Sequence, residues 1–354
     1  MSEQSFYRRQ TILKSVGLRG QEKLKNSKAV IIGAGGLGHP VAIYLASAGI
    51  GSLRIIDFDK IEMSNLNRQI CFKTTDVGGY KAKILSERIK KQNPFIEVNS
   101  FLEKVTTNNI LELIQGHDIV LDCTDNHGTT FLLHDYCWKL GIDLVQASLY
   151  QYEGQIQRFV FSKNKERGCL RCLWETMPET GSGGNCEESG VIGAIAGNIG
   201  TLQAFEAIKM LLSLGSELVN TTAIINLLSL EIQKIKWKKK SNCSLCSSEK
   251  TLKEIESRHN EVAAYYELIS PDYQKYSLID IREKHEFSEN DFFHVERVKN
   301  LPLSESGRWL SKLDSSQKYL FICARGIRSA SLVKKLRKSK SLNCYSLRGG
   351  IGDV

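Results

Sequence analysis

The chain has 354 residues, which argues for two domains at roughly 100–200 residues each. A composition of 42% hydrophobic and 25% charged residues with 5 prolines is that of an ordinary globular protein and excludes collagen-like and largely disordered chains. The 48 Lys and Arg against 39 Asp and Glu leave a formal charge of +9, which permits a phosphate-bearing ligand or an acidic partner without choosing between them.

In chain order, residues 28–34 (KAVIIGA) predict a strand ending in glycine, 39–48 a helix, and 53–58 (LRIIDF) a second strand closing on acidic residues. A helix over 81–92 and a third strand over 117–123 follow, then strands at 144–147 and 155–161. Strands alternating with helices imply a parallel, doubly wound α/β sheet that binds ligands at the strand C-termini. Residues 175–190 (ETMPETGSGGNCEESG) are polar and glycine-rich and read as a crossing loop before a helix over 195–212. The run KIKWKKK at 234–240 alternates lysine with Ile235 and Trp237, as a strand with one wet face does, so no nucleic-acid partner is expected. Residues 247–260 have almost no apolar periodicity and read as a linker or solvated helix. Strands at 277–281, 319–323 and 344–347 and a helix at 329–338 then predict a second, small α/β domain. No run approaches the roughly 18 apolar residues of a membrane helix. With no apolar segment behind the charges of MSEQSFYRRQ, a cytoplasmic protein without a membrane partner is expected.

Gly33, Gly35 and Gly38 satisfy G-x-G-x-x-G directly after the first strand, where glycine lets phosphate approach the N–H groups opening the next helix. Asp57 closes the second strand and could accept from ribose hydroxyls. The pattern also fits a nicotinamide or flavin enzyme, and a purely structural turn. SNLNRQ at 64–69 and Lys81 shift the balance, because an Asn, an Arg and a Lys placed there can neutralise a triphosphate. Asp125, in CTDN beyond the third strand, is placed to hold Mg2+ on the phosphates; its structural alternative is a cap of the following helix.

Ten cysteines in a reducing compartment read as metal ligands or sulfur chemistry, not disulfides. Cys169 and Cys172 form one C-x-x-C, and Cys243 and Cys246 a second about 70 residues later. Two such pairs can close a structural Zn2+ site with no open position. A redox role is disfavoured, since neither pair directly precedes a predicted helix in a thioredoxin-like unit. Cys186 lies alone in the crossing loop, where Glu187 and Glu188 disfavour its thiolate. Cys323 opens CARGIRS after the strand YLFI and before a helix, where N–H groups, Arg325 and Arg328 would favour a sulfur anion. Cys71, Cys123, Cys137 and Cys344 lie in apolar or strand contexts and read as small buried residues.

YRRQ at 7–10, GAGGLG at 33–38, DFDKIEMSNLNRQ at 57–69, Lys81, LDCTDN at 121–126 and GVIGAIAGNIGTLQAFEAIKML at 190–211 resemble, in the expected order, the MoeB/ThiF/HesA family of ubiquitin-activating-type adenylyltransferases. LIDIREKHEF at 278–287, CARGIRS and LRGGI at 347–351 resemble a rhodanese-like domain. The resemblance implies a Rossmann-like adenylation domain with a zinc site over 1–248, a linker over 249–262 and a rhodanese-like domain over 263–354. It implies ATP and Mg2+ binding by Gly35, Asp57, Asn65, Arg68, Lys81 and Asp125, a set that extends to Gly33, Gly36, Gly38, Ser64 and Asn126. Arg9 then serves the neighbouring subunit's nucleotide site, so a homodimer is implied. The implied substrate is the C-terminal Gly-Gly carboxylate of a ubiquitin-like sulfur carrier. Cys186 becomes a covalent partner of the carrier, and the loop Cys323, Ala324, Arg325, Gly326, Ile327 and Arg328 a persulfide site fed by a donor such as a cysteine desulfurase. Asp280 and Arg282 would be chiefly structural. HVERVKNLPL at 294–303 and the early end after GGI depart from the rhodanese pattern. Molybdopterin synthesis, thiazole synthesis for thiamine and tRNA thiolation stay open as destinations. Activation for protein conjugation is the alternative, and an NAD-dependent oxidoreductase a more distant one.

Overall fold

The computed structural model describes residues 2–162, 167–176, 190–215, 218–264, 267–268, 271–288, 298–324, 326–339 and 342–353. They fall into two compact units, divided between Ile255 and Glu256.

The first unit is built on eight strands: β1 (Lys28–Ile32), β2 (Ser52–Ile56), β3 (Glu97–Phe101), β4 (Ile119–Asp122), β5 (Asp143–Tyr150), β6 (Glu153–Phe159), β7 (Thr221–Asn226) and β8 (Glu231–Lys236). Their spatial order is β3-β2-β1-β4-β5-β6-β7-β8. The first five run parallel and the last three antiparallel. The order reverses between β1 and β4, and ligands of open α/β sheets bind in the crevice at such a switch point. The helices are α1 (Glu3–Thr11), α2 (Gly17–Lys25), α3 (Gly38–Ala48), α4 (Lys81–Gln92), α5 (Ile110–Ile114), α6 (His127–Leu140), α7 (Leu170–Leu173) and α8 (Gly193–Leu212), and the division between the units falls within a further helix, α9 (Leu252–Ala264).

Strand β1 is an unbroken apolar run because both sheet faces are covered. Ala29 and Ile31 join Val41, Leu45, Ile199 and Ala204 of α3 and α8 in one core. Val30 and Ile32 point the other way, onto Ile110, Leu113, Phe131 and Leu133 of α5 and α6. α8 lies close against α3: a Cβ on Gly200 would fall 2.6 Å from the carbonyl oxygen of Leu37. Strand β8 departs from its expected single wet face, since every residue from Glu231 to Lys236 is exposed. It pairs only with β7 and sits at the sheet edge, so Ile232 and Ile235 find no covering layer among the described residues.

The second unit has a five-stranded parallel sheet in the order β11-β10-β12-β13-β9. The strands are β9 (Glu267–Leu268), β10 (Ser277–Asp280), β11 (Lys299–Asn300), β12 (Lys318–Ile322) and β13 (Asn343–Leu347), with helices α10 (Ser306–Trp309) and α11 (Ile327–Ser339). Phe321 and Cys323 pack with Trp309, Val333 and Leu336 on one face. Leu320 and Ile322 meet Leu278 and Leu347 on the other. The stretch read as a linker or solvated helix is helical over α9.

Candidate active sites and metal centre

The glycine turn is set by close approach. Gly33 has φ +96°, and a Cβ there would lie 2.9 Å from the carbonyl oxygen of Cys123 at the end of β4. A Cβ on Gly38 would lie 1.9 Å from the carbonyl oxygen of Gly33. The turn is held from β2 by Asp57, whose carboxylate accepts from the N–H of Ala34 and of Asp59, each at 2.7 Å. Burial pushes the Asp57 carboxyl up, against the opposing pull of Lys81. Lys81, buried at the first position of α4, donates Nζ to Asp59 at 2.8 Å. Asp59 is a site neighbour that the sequence reading did not single out; the reach from the end of β2 to the start of α4 becomes visible only in the fold.

The SNLNRQ segment closes against this turn. The Asn65 side chain accepts from the N–H of Glu62 (3.2 Å) and donates to Ser64 Oγ (3.4 Å). Arg68 donates to the carbonyl of Ser64 (2.9 Å) and to Asn67 Oδ1 (3.2 Å). A Cβ on Gly36 would meet Arg68 Cδ at 3.7 Å and Ala196 Cβ at 3.0 Å, and one on Gly193 would meet the carbonyl oxygen of Asn67 at 2.3 Å. The structure thus brings the glycine turn, Arg68 and the N-terminus of α8 together. Gln69, another residue without an earlier role, buries an Oε1 that has no partner, while its Nε2 lies 4.0 Å from where a Cβ of Gly35 would be. A buried acceptor with no partner beside an open glycine backbone fits a nucleotide better than a filled core. His39 Nδ1 accepts from the N–H of Cys71 at 3.1 Å. Burial and the charge of Lys81 hold this histidine down to about 3, so it stays a neutral acceptor.

Across the crevice, Asn126 is the N-cap of α6 and accepts from the N–H of Thr129 at 3.0 Å. The capping alternative for Asp125 therefore falls to its neighbour, and Asp125 itself is exposed. An exposed carboxylate just beyond the β4 end has the donor chemistry that Mg2+ takes alongside phosphate oxygens. Arg9 is exposed on α1, whose buried anchor is Tyr7; the Tyr7 hydroxyl accepts from Asn93 at 2.7 Å. No contact among the described residues joins Arg9 to the glycine turn.

The four sulfurs of Cys169, Cys172, Cys243 and Cys246 all lie within 4.8 Å of one another. Three of the separations are 3.9, 3.5 and 3.4 Å. Tetrahedral Zn2+ with bonds of about 2.3 Å places its thiolates about 3.8 Å apart, so the cluster fits the ion. The N–H of Lys240 also points at Cys172 Sγ, at 3.4 Å. Cys169 is the N-cap of the single turn α7, which itself contains Cys172, and convergence of the second pair on the first favours metal over redox chemistry. A buried shell missed in the sequence shapes that turn from α6. His134 Nε2 accepts from the N–H of Leu170 (2.8 Å), and its Nδ1 lies 3.0 Å from Asp135 Oδ1. Asp135 in turn accepts from Arg171 Nε (3.2 Å) and a terminal nitrogen (2.7 Å). Removing one partner of a buried ion pair leaves the other charge uncompensated, at about 3–5 kcal/mol. Asp135→Ala should lower denaturant stability by about that amount and speed zinc release to a chelator; wild-type values in both would overturn this role.

In the second unit, Cys323 directly follows β12 and is buried. The N–H and the hydroxyl of Ser329, at the start of α11, both lie 3.4 Å from its sulfur. Gly326 has φ +78°, and a Cβ there would lie 2.9 Å from the carbonyl oxygen of Leu347, so the loop is pressed onto the LRGGI segment. Arg328 is held by Glu286 in a bidentate pair at 2.7 Å, which pulls the Glu286 carboxyl down to about 2. Its charge is thus compensated, a partner absent from the sequence reading. Asp280 accepts from Arg282 through Nε (2.9 Å) and a terminal nitrogen (2.8 Å), in a buried clasp. Cys186, Glu187, Glu188 and Arg325 lie outside the described residues, as does the side chain of Ile327; Ala324 is half-buried. Cys123, Cys137 and Cys344 are buried and Cys71 is half-buried, in line with core roles.

Residues 7–245 match the ThiF family and residues 262–354 the Rhodanese-like domain. The chain is 38% identical to a sulfur carrier protein adenylyltransferase of Thermus thermophilus over 70% of its own length and 93% of that protein. It is 32% identical to adenylyltransferase and sulfurtransferase MOCS3 of Caenorhabditis briggsae, over 99% of this chain and 93% of that one. Among solved structures, E. coli MccB crystallised with ATP aligns with a TM-score of 0.56 and 25% identity, over 64% of this chain and 69% of that chain. No helix among the described residues is long and apolar enough to cross a membrane.

Proposed function

The chain belongs to the ThiF family and carries a rhodanese-like domain behind it, and from that membership we propose that it adenylates and then sulfurates a small ubiquitin-like sulfur carrier ending in Gly-Gly. It is an adenylyltransferase and sulfurtransferase, with adenylation assigned to residues 1–248, a linker to 249–262 and sulfur transfer to 263–354. The observation that carries the reading is the pairing of a glycine turn flanked by Arg68 and Lys81 with a cysteine seated on donors of a helix start. One unit suits phosphate and the other suits a sulfur anion.

A carboxylate is a poor electrophile. Its oxygen attacks the α-phosphorus of ATP, pyrophosphate leaves, and the acyl adenylate carries AMP as a good leaving group. Backbone N–H groups of 33–38 would cradle the phosphates, with Ser64 and Asn65 beside them and Asp57 toward the ribose. Arg68 and Lys81 would stabilise charge that grows on the phosphates as the bond breaks. Mg2+, held by Asp125, would screen the same oxygens when bound. Zn2+ on the four cysteines would be structural. Arg9 would complete the site of a partner subunit in a homodimer.

The outer sulfur of a Cys323 persulfide, loaded by a donor such as a cysteine desulfurase, then attacks the acyl carbon as AMP departs. A second thiol cleaves the resulting acyl disulfide at its S–S bond, becoming disulfide-bonded to Cys323 as the carrier thiocarboxylate leaves, and a cellular dithiol reduces that disulfide before the next turn; Cys186 is a candidate covalent partner of the carrier. The test is carrier-dependent exchange of pyrophosphate into ATP. Exchange should require a carrier from the same cell with its terminal Gly-Gly intact; absence with every such carrier would sink the adenylation reading.

A further inference from the structure

Helix α1 is joined to the first unit through one face. Tyr7, 3% exposed, lies against the bend that ends α3: Gly49 has φ +84°, and a Cβ there would fall 2.7 Å from Tyr7 Cζ. The Tyr7 hydroxyl accepts from Asn93 Nδ2 at 2.7 Å, and the same nitrogen donates to the carbonyl of Ala46 at 2.7 Å. Asn93 is fully buried directly after α4, where its Oδ1 accepts from the N–H of Phe95 at 3.1 Å. Three residues on from Tyr7, Gln10 donates to the carbonyl of Ala48 at 2.8 Å. One asparagine thus ties α1 to the C-terminal ends of α3 and α4 at once. The other ties are edge-on ring contacts of Phe6 with Tyr7 and Phe95 and an exposed pair of Glu3 with Lys25, and an exposed pair adds little.

That placement bears on Arg9. The glycine turn and Lys81 sit at the opposite, N-terminal ends of α3 and α4, a helix length of about 16 Å away for the 11 residues of α3. Arg9 stands only two residues, about 3 Å of helix rise, beyond the Tyr7 anchor. Two residues also turn a helix by about 200°, so Arg9 leaves α1 on the side away from Tyr7, where it is exposed. Its charge is presented outward, and the bearing of that charge is set by whatever holds the far face of α1.

We propose that Tyr7 and Asn93 are positioning residues for adenylation in the neighbouring subunit: they fix the bearing of α1 and so aim Arg9 at the phosphates of a nucleotide bound by the partner. The inference rests on the reading of Arg9 as a residue lent across a homodimer, and mixed subunits separate the two. A purely structural clasp would act on the site of its own chain, through α3 and α4. A positioning clasp acts on the partner's site and is silent in its own.

The test is carrier-dependent exchange of pyrophosphate into ATP by dimers of two differently tagged full-length subunits, purified through both tags. Lys81→Ala in one subunit leaves it only an Arg9 to lend, and Arg9→Ala in the other leaves it only a site to be served, so the pair should keep one working site. Tyr7→Ala added to the lending subunit should lower exchange by about 10- to 100-fold, the worth of one hydrogen bond to a charged group. Tyr7→Phe keeps the ring on Gly49 and should cost only about threefold. Tyr7→Ala added to the served subunit should leave the rate of the pair as it was. Loss that follows the served subunit, equal loss from either, or no loss from the lending one would each overturn the proposal. No exchange from the Lys81→Ala, Arg9→Ala pair beside an active wild-type dimer would sink the shared-site reading, and this inference with it, and leave adenylation standing. Should Tyr7→Ala subunits fail to fold or pair, Tyr7→Phe in each position carries the test with its smaller loss. Affinity for ATP with Mg2+, read by calorimetry, needs no carrier: Tyr7→Ala and Arg9→Ala homodimers should weaken it alike and the double variant no further, since both changes remove one contact. Additive losses there would also overturn the proposal.

Discussion

Lys81→Ala should reduce carrier-dependent exchange of pyrophosphate into ATP by about 100- to 1000-fold, the usual effect of removing one preorganised group that meets developing charge. The amine is buried and fixed by Asp59 at 2.8 Å, so it would meet that charge without reorganising and without much competition from water. Two contributions must be separated. Truncation leaves Asp59 without its cation, and the repelling carboxylate would weaken ATP binding as well as slow the chemistry. In Asp59→Asn the repulsion is absent and Lys81 remains. That variant should lose far less, chiefly in the KM for ATP, whereas Lys81→Ala should lose in kcat. Lys81→Arg is a poor rescue, since a planar guanidinium does not fit a pocket shaped around a point charge. Equal losses in Lys81→Ala and Asp59→Asn would place the effect in the integrity of the ion pair and remove Lys81 from phosphate chemistry.

The parts of this molecule legible in the sequence are those where one local rule decides. β1 and α3 announce themselves because an unbroken apolar run and a glycine turn leave no other choice, and the helix expected at 81–92 is found over Lys81–Gln92. α1 and α2 went unread because each buries a single side chain, Tyr7 or Leu24, which leaves no stripe to detect. β3 (EVNSF) carries three polar residues and β7 (TTAIIN) opens on two threonines and ends on Asn, so their strand character comes from sheet neighbours, as context-dependent β-propensity implies. The site follows the same division. Glycine spacing and paired C-x-x-C motifs are covalent arithmetic and visible in one dimension. Asp59 behind Lys81, Glu286 on Arg328, and His134 with Asp135 behind the cysteines are long-range partners of residues that were visible, and only folding brings them together. Asp125 is the instructive intermediate: sequence left it divided between cap and ligand, and the hydrogen bond from Thr129 to Asn126 removes the cap.

Cys323→Ala should abolish thiocarboxylate formation while leaving the exchange reaction unchanged, because the substitution lies in the second compact unit and adenylation is assigned to the first. Cys323→Ser should behave identically, and it is the better control. It keeps the volume and a hydrogen-bonding atom facing Ser329, so a loss there cannot be blamed on a cavity in a site that is 1% exposed. The burial itself bears on mechanism. A persulfide sets the reacting atom one S–S bond, about 2 Å, farther out than a sulfur so enclosed. Serine cannot carry that second sulfur. If Cys323→Ser still yielded thiocarboxylate from a sulfur donor at the wild-type rate, sulfur would have to reach the acyl adenylate without the rhodanese-like unit. Cys186 or the donor's own persulfide would then be the attacking group, and a Cys186→Ala, Cys323→Ser double variant would say which.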